Sequence, residues 1–188
     1  MKQLFLILFL CLGLIANSQC VSNESFVISP LGPYSPGQVV DVWYTLGTFT
    51  GININWIHAF QINLGVGWTN LTPTGTPPNP GGSAGNWVWD LQHTFIGGLN
   101  FGPGWRFDNT GNVDWGTSST GPFIMSFQIT VNSTCTSDDL SISMDVIDDC
   151  TTGGWTGGGG ACCLDPSFQI YNGVVQVPLI TTSNINHF

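Results

Sequence analysis

The chain has 188 residues; 42 % are hydrophobic, 12 % aromatic and only 7 % charged, and two Lys or Arg face eleven Asp or Glu for a formal charge of −9. So much apolar side chain excludes a disordered polymer. So few cations exclude recognition of nucleic acid through its phosphates and attraction to an anionic membrane surface.

Residues 1–18 read as a signal peptide. Lys2 supplies a short positive region, and residues 4–16 are apolar apart from Gly13. That run is shorter than the roughly 20 residues a spanning helix needs. Ala16-Asn17-Ser18 has the small-x-small form of a cleavage site, which predicts a mature chain starting at Gln19. Cys20 lies just past the apolar run and raises the question of lipidation, but Gln19 rather than a small residue precedes it. No second apolar segment follows, so the mature part is expected to lack an integral membrane segment and to be secreted or held at the cell surface. Its length of roughly 170 residues suits a single domain, predicted over 19–178. Residues 179–188 read as a tail or truncated linker.

The mature part has strand composition: Thr, Val, Ile, Trp and Phe are frequent, glycines punctuate the chain, and no stretch sustains a helical period. Alternation predicts successive strands. Val40, Val42, Tyr44 and Leu46 share one face. Trp56, His58, Phe60, Ile62 and Leu64 share another, and Trp87, Trp89, Leu91, His93 and Phe95 a third. Phe123, Met125, Phe127, Ile129 and Val131 follow, then Leu140, Ile142, Met144 and Val146. Residues 168–170 and 174–177 close the series. Seven or eight short strands of this kind predict an all-β, antiparallel β-sandwich, Ig-like or jelly-roll, with Greek-key connections. Residues 72–85 carry four prolines and several glycines and read as a long exposed loop; residues 151–160 are rich in Gly and Thr.

Five cysteines remain after processing: Cys20, Cys135, Cys150, Cys162 and Cys163. Export makes disulfides their expected state. The odd number leaves one as a free thiol, a link to another chain or a lipid acceptor. Cys162 and Cys163 are adjacent and are expected to take different partners. No CxxC pair points to zinc.

Tryptophan carries the candidate ligand site. Trp43, Trp56, Trp87 and Trp89 lie within predicted strands and read as core. Trp68, Trp105, Trp115 and Trp155 sit among glycines, where an exposed indole can stack on the C–H face of a sugar or close the end of a sandwich. The acids raise calcium as a candidate cofactor, at Asp108 and Asp114 or at Asp148 and Asp149. Asp138 and Asp139 lie at the other end of a predicted strand from Asp148 and Asp149, so the two pairs are not expected to share an ion. A solvated turn explains the same aspartates. His58 and His93 alternate onto aromatic faces and read as buried histidines. No GxSxG or HExxH motif positions a nucleophile or metal, and Glu24 is the only glutamate, so no catalytic residue is assigned.

Six segments stand out together: the Asn17-Ser18-Gln19 end of the export signal, Asn55-Trp56-Ile57-His58-Ala59-Phe60, Gly65-Val66-Gly67-Trp68, Gly102-Pro103-Gly104-Trp105, Asp138-Asp139-Leu140-Ser141-Ile142 and Gly153-Gly154-Trp155-Thr156. In these the chain resembles a module of secreted Bacteroidetes surface proteins. The resemblance implies an extracellular β module. Similar proteins often carry a C-terminal gliding-motility-type or type IX secretion sorting domain, and this sequence is read as departing from them by ending at Phe188 with none. The expected function is non-catalytic binding or adhesion outside the cytoplasm, with a glycan or protein as partner and self-association as a further option. A structural spacer or assembly subunit is the first alternative, an unrecognised secreted hydrolase the second.

Overall fold

The computed structural model describes residues 21–50, 56–94, 100–111, 115–133 and 139–149, together with the backbone of 164–172. The strands in chain order are β1 (Val21–Ser29), β2 (Val39–Phe49), β3 (Ile57–Leu64), β4 (Trp68–Gly75), β5 (Gly85–Asp90), β6 (His93–Thr94), β7 (Asn100–Phe101), β8 (Gly104–Asn109), β9 (Phe123–Val131), β10 (Ser141–Asp148) and β11 (Leu164–Asn172). The described residues contain no helix, and so none long and apolar enough to cross a membrane.

The protein is a β-sandwich. One sheet has four strands in the order β1-β2-β9-β4, the other five in the order β11-β10-β3-β8-β5, and β6 pairs with β7 in a separate ribbon. Every pairing is antiparallel. Neighbours in a sheet are often far apart in the chain: Val40 on β2 lies opposite Ile129 on β9.

Period-2 alternation builds the core. Val40, Val42, Tyr44 and Leu46 of β2 are fully buried, as are Phe123, Phe127 and Ile129 of β9 and Ile142, Met144 and Val146 of β10. Rings from the two sheets meet between them. Phe60 of β3 lies 5.5 Å from Phe123 and 6.2 Å from Tyr44; Trp87 of β5 lies 5.9 Å from Phe123, and Trp105 of β8 lies 6.4 Å from Phe127. Contacts of this kind add about 0.5–1.5 kcal/mol each beyond the area they bury.

Three expectations need adjustment. First, β3 is buried on both faces from Ile57 to Phe60, because Ala59 packs with Phe101 and Ile147 in a small second cluster. The alternating pattern marked only the inner face. Second, the strand begun by Trp87 and Trp89 ends at Asp90, and Leu91 is 71 % exposed. Gly102, with φ of 114°, turns there so close to the Leu91 carbonyl that a Cβ would lie 2.5 Å from its oxygen. His93 therefore belongs to the ribbon, paired opposite Phe101. Third, the expected loop at 72–85 is a strand as far as Gly75. Its remainder is tied down. The Thr117 hydroxyl donates to Asn79 Oδ1 and accepts from the Ser83 amide at 3.2 Å. Asn79 Nδ2 donates to the Ser83 carbonyl at 2.8 Å, and Trp87 Nε1 donates to the Pro78 carbonyl at 3.2 Å.

Candidate functional site

From Val39 to Leu46 the buried residues of β2 are the even-numbered ones, so Val39, Asp41, Trp43 and Thr45 face outward from the four-stranded sheet. Trp43 is 39 % exposed. In register it stands opposite Val27 on β1 and Ser126 on β9. Val27 is 60 % exposed, and Ile124, opposite Thr45 on β9, is 51 % exposed. Polar pairs lie beside this apolar strip. Gln128 Nε2 donates to Asp41 Oδ1 at 2.8 Å, these two being opposite each other one row along. The Thr74 hydroxyl on edge strand β4 donates to the Ser126 hydroxyl at 2.9 Å. The result is a pleated face with one exposed indole, two aliphatic flanks and a border of hydroxyl, amide and carboxylate groups.

Trp43, whose place in a strand predicts core, faces solvent instead. Its parity carried the contrary signal, because it falls between Val42 and Tyr44 on the opposite face to both. The tryptophans chosen as ligand candidates behave differently. Trp68 is 5 % exposed, packs edge-on against Tyr34 at 5.6 Å, and buries its Nε1 without a hydrogen-bond partner. Trp105 is 1 % exposed and packs against Trp89 at 4.9 Å. Neither has an indole face in solvent. Their neighbouring glycines serve close backbone approach instead: a Cβ on Gly104 would lie 2.0 Å from the Phe60 carbonyl oxygen. Trp115 is half-buried and meets Trp56 edge-on at 6.1 Å, away from the Trp43 strip. Trp155 lies outside the described residues. Trp68 and Trp105 belong to opposite sheets, so the structure does not gather the four into one platform.

Of the calcium candidates, Asp108, Asp148 and Asp149 fall within the described residues. Asp149 is buried, and its carboxylate accepts the Trp56 amide at 3.3 Å on Oδ1 and the Gly116 amide at 2.9 Å on Oδ2. It thus fastens the segment entering β3 to the Trp115 turn. Asp148 is 2 % exposed beside Ile57. Asp108 points outward on β8, 3.5 Å from the Arg106 guanidinium. Asp114 and Asp138 lie outside the described residues, as do all five cysteines, residues 1–18 and the 179–188 tail. Among the described residues no three His, Cys, Asp or Glu side chains converge as a metal site. His58 is 1 % exposed.

Ser141 and Arg106 each engage a carboxylate. The Ser141 hydroxyl donates to Asp139 Oδ1 at 2.6 Å and the Ser141 amide at 3.1 Å, which holds the exposed Asp139 carboxyl below its ordinary range, with a smaller contribution from the Val66 amide. Arg106, the one Lys or Arg among the described residues, donates from Nε to Asp90 at 2.9 Å on the outer face of the five-stranded sheet. No family model, curated protein or solved structure matches this chain.

Proposed function

We propose that the chain is an exported, non-catalytic β-sandwich that binds a glycan on the outer face of its four-stranded sheet. The exposure of Trp43 in the middle of a regular sheet carries this reading. Scattered exposed aliphatic side chains are ordinary on a protein surface, but a large aromatic between two aliphatic neighbours calls for a partner. An indole offers a flat apolar surface to the C–H face of a sugar ring. The adjoining Asp41–Gln128 and Thr74–Ser126 pairs offer acceptors and donors to its hydroxyls. The export-type N-terminus supports an extracytoplasmic site of action, secreted or at the cell surface.

The test is intrinsic fluorescence of the mature chain titrated with a panel of soluble polysaccharides, comparing wild type with Trp43→Ala and Trp115→Ala. A saturable spectral change lost only in Trp43→Ala is expected. Saturation unchanged in Trp43→Ala would remove this face as the site. A spacer or assembly subunit is the second reading, favoured by the placement of Trp68 and Trp105 in the core, where aromatic content serves packing.

A further inference from the structure

We infer that the Trp43 face takes an uncharged polysaccharide and rejects acidic ones; this rests on the reading of Trp43 as the glycan platform. A carboxylate, sulfate or phosphate on a sugar is recognised by Lys or Arg, through charge-assisted hydrogen bonds. The described residues hold one such group, Arg106, and it is on the other sheet. Its side chain is only 13 % exposed and is engaged by Asp90 and Asp108. On the Trp43 face the charged group is Asp41, a carboxylate, and the whole chain carries eleven acids. An anionic polymer would therefore meet repulsion with no compensating cation. A neutral chain meets groups suited to it. Asp41 has an oxygen beyond the one Gln128 uses, and Ser126, Thr74 and Thr45 are hydroxyl donors and acceptors.

The dimensions favour a run of sugars over a single ring. Four strands at about 4.8 Å spacing make a face about 15 Å across. Val27, Trp43 and Ser126 lie in one row across three of them, with Gly75 opposite Ser126 on the fourth. A protein partner fits less well. Stable protein interfaces bury about 800 Å² a side around an apolar centre, whereas here four exposed apolar side chains, Val27, Val39, Trp43 and Ile124, are interleaved with Asp, Ser, Thr and Gln.

The experiment is affinity electrophoresis of the mature chain through gels containing neutral polysaccharides (β-glucan, xylan, mannan) or acidic ones (alginate, polygalacturonate, chondroitin sulfate). Wild type, Trp43→Ala and Gln128→Ala are compared, with thermal melts confirming that each variant is folded. We expect retardation by at least one neutral polymer, none by the acidic ones, and a loss of at least about tenfold in affinity in Trp43→Ala. Binding is expected to persist at about 0.5 M salt, where charge attraction is screened. Retardation by acidic polymers that depends on Trp43 would overturn the charge selectivity and leave the platform standing. Retardation insensitive to Trp43→Ala, or absent with every polymer, would overturn the platform and the inference with it.

Discussion

Trp43 and Trp105 are the same residue type in two physical situations, and truncation should separate them. Trp105 is 1 % exposed and touches rings of both sheets, so Trp105→Ala removes a large buried surface and leaves a cavity. A loss of about 3–5 kcal/mol is expected, a large share of the stability of a domain this size. Trp43 is 39 % exposed and stands between Val27 and Ser126 across the strands, so Trp43→Ala should cost about 1 kcal/mol or less. Chemical denaturation of the two variants checks this; equal losses would mean that Trp43 is a packing residue. Asp149 is a structural acid by the same kind of reasoning. Asp149→Ala leaves the Trp56 and Gly116 amides without their carboxylate acceptor, at about 1–3 kcal/mol for each that stays dry. Asp139 differs in being exposed and in having its carboxyl held low by Ser141. Because the folded value lies below the unfolded one, its contribution is present above the ordinary value of 3.8 and is lost as pH falls through the lower folded value. Ser141→Ala should move the Asp139 titration upward, as read by carboxyl NMR shifts, and flatten stability below that pH. An unmoved titration would assign the shift to the backbone amides alone.

At the scale of elements, the segment 76–84 shows how composition and structure part company. Its prolines and glycines read as a free loop, yet Thr117, fully buried, binds both Asn79 and Ser83. A Cβ on Gly82 would lie 2.0 Å from the Thr117 hydroxyl, so glycine here permits close docking. Thr117→Val keeps the shape and removes the hydroxyl. The Ser83 and Ser119 amides, which both donate to it, should then exchange hydrogen faster while strand amides of β2 and β9 keep their protection. Uniform loss of protection would mean that the loop and the sandwich open together. The strands themselves are legible because one buried face writes a period of two: β9 follows the alternation throughout, β2 as far as Leu46 and β10 as far as Val146. What could not be read was which Gly-Trp sequences are loops, since Gly65-Val66-Gly67-Trp68 turns directly into edge strand β4, of which Trp68 is the buried residue. The Trp43 face was legible in principle from parity alone. Its position beside Val27 and Ser126 was not, because register between distant strands is set by packing that no local pattern encodes.

For the molecule as a whole, the governing fact is a net charge of −9 with almost no cations to offset it. The described acids with polar partners use mostly neutral ones: Asp41 takes Gln128, Asp145 takes Asn63, Asp149 takes two backbone amides. Asp90 and Asp108 share a cation, Arg106. The fold thus holds its carboxylates by hydrogen bonds and leaves their mutual repulsion to water and salt. Screening should therefore stabilise it, opposite in sign to a protein held by surface ion pairs. Raising NaCl from about 0.01 M to 0.15 M shortens the screening length from about 30 Å to about 8 Å, and Tm is expected to rise over that interval. Calcium at matched ionic strength is expected to act only as part of that screening, because both oxygens of Asp149 already hold backbone amides and Asp108 faces Arg106. A saturable further rise in Tm with calcium would show a bound ion linked to folding and would overturn this account of the acids. The same screening series bears on recognition: stability should follow salt, while attachment of a neutral glycan to Trp43 should not, since no charge on the ligand enters the contact.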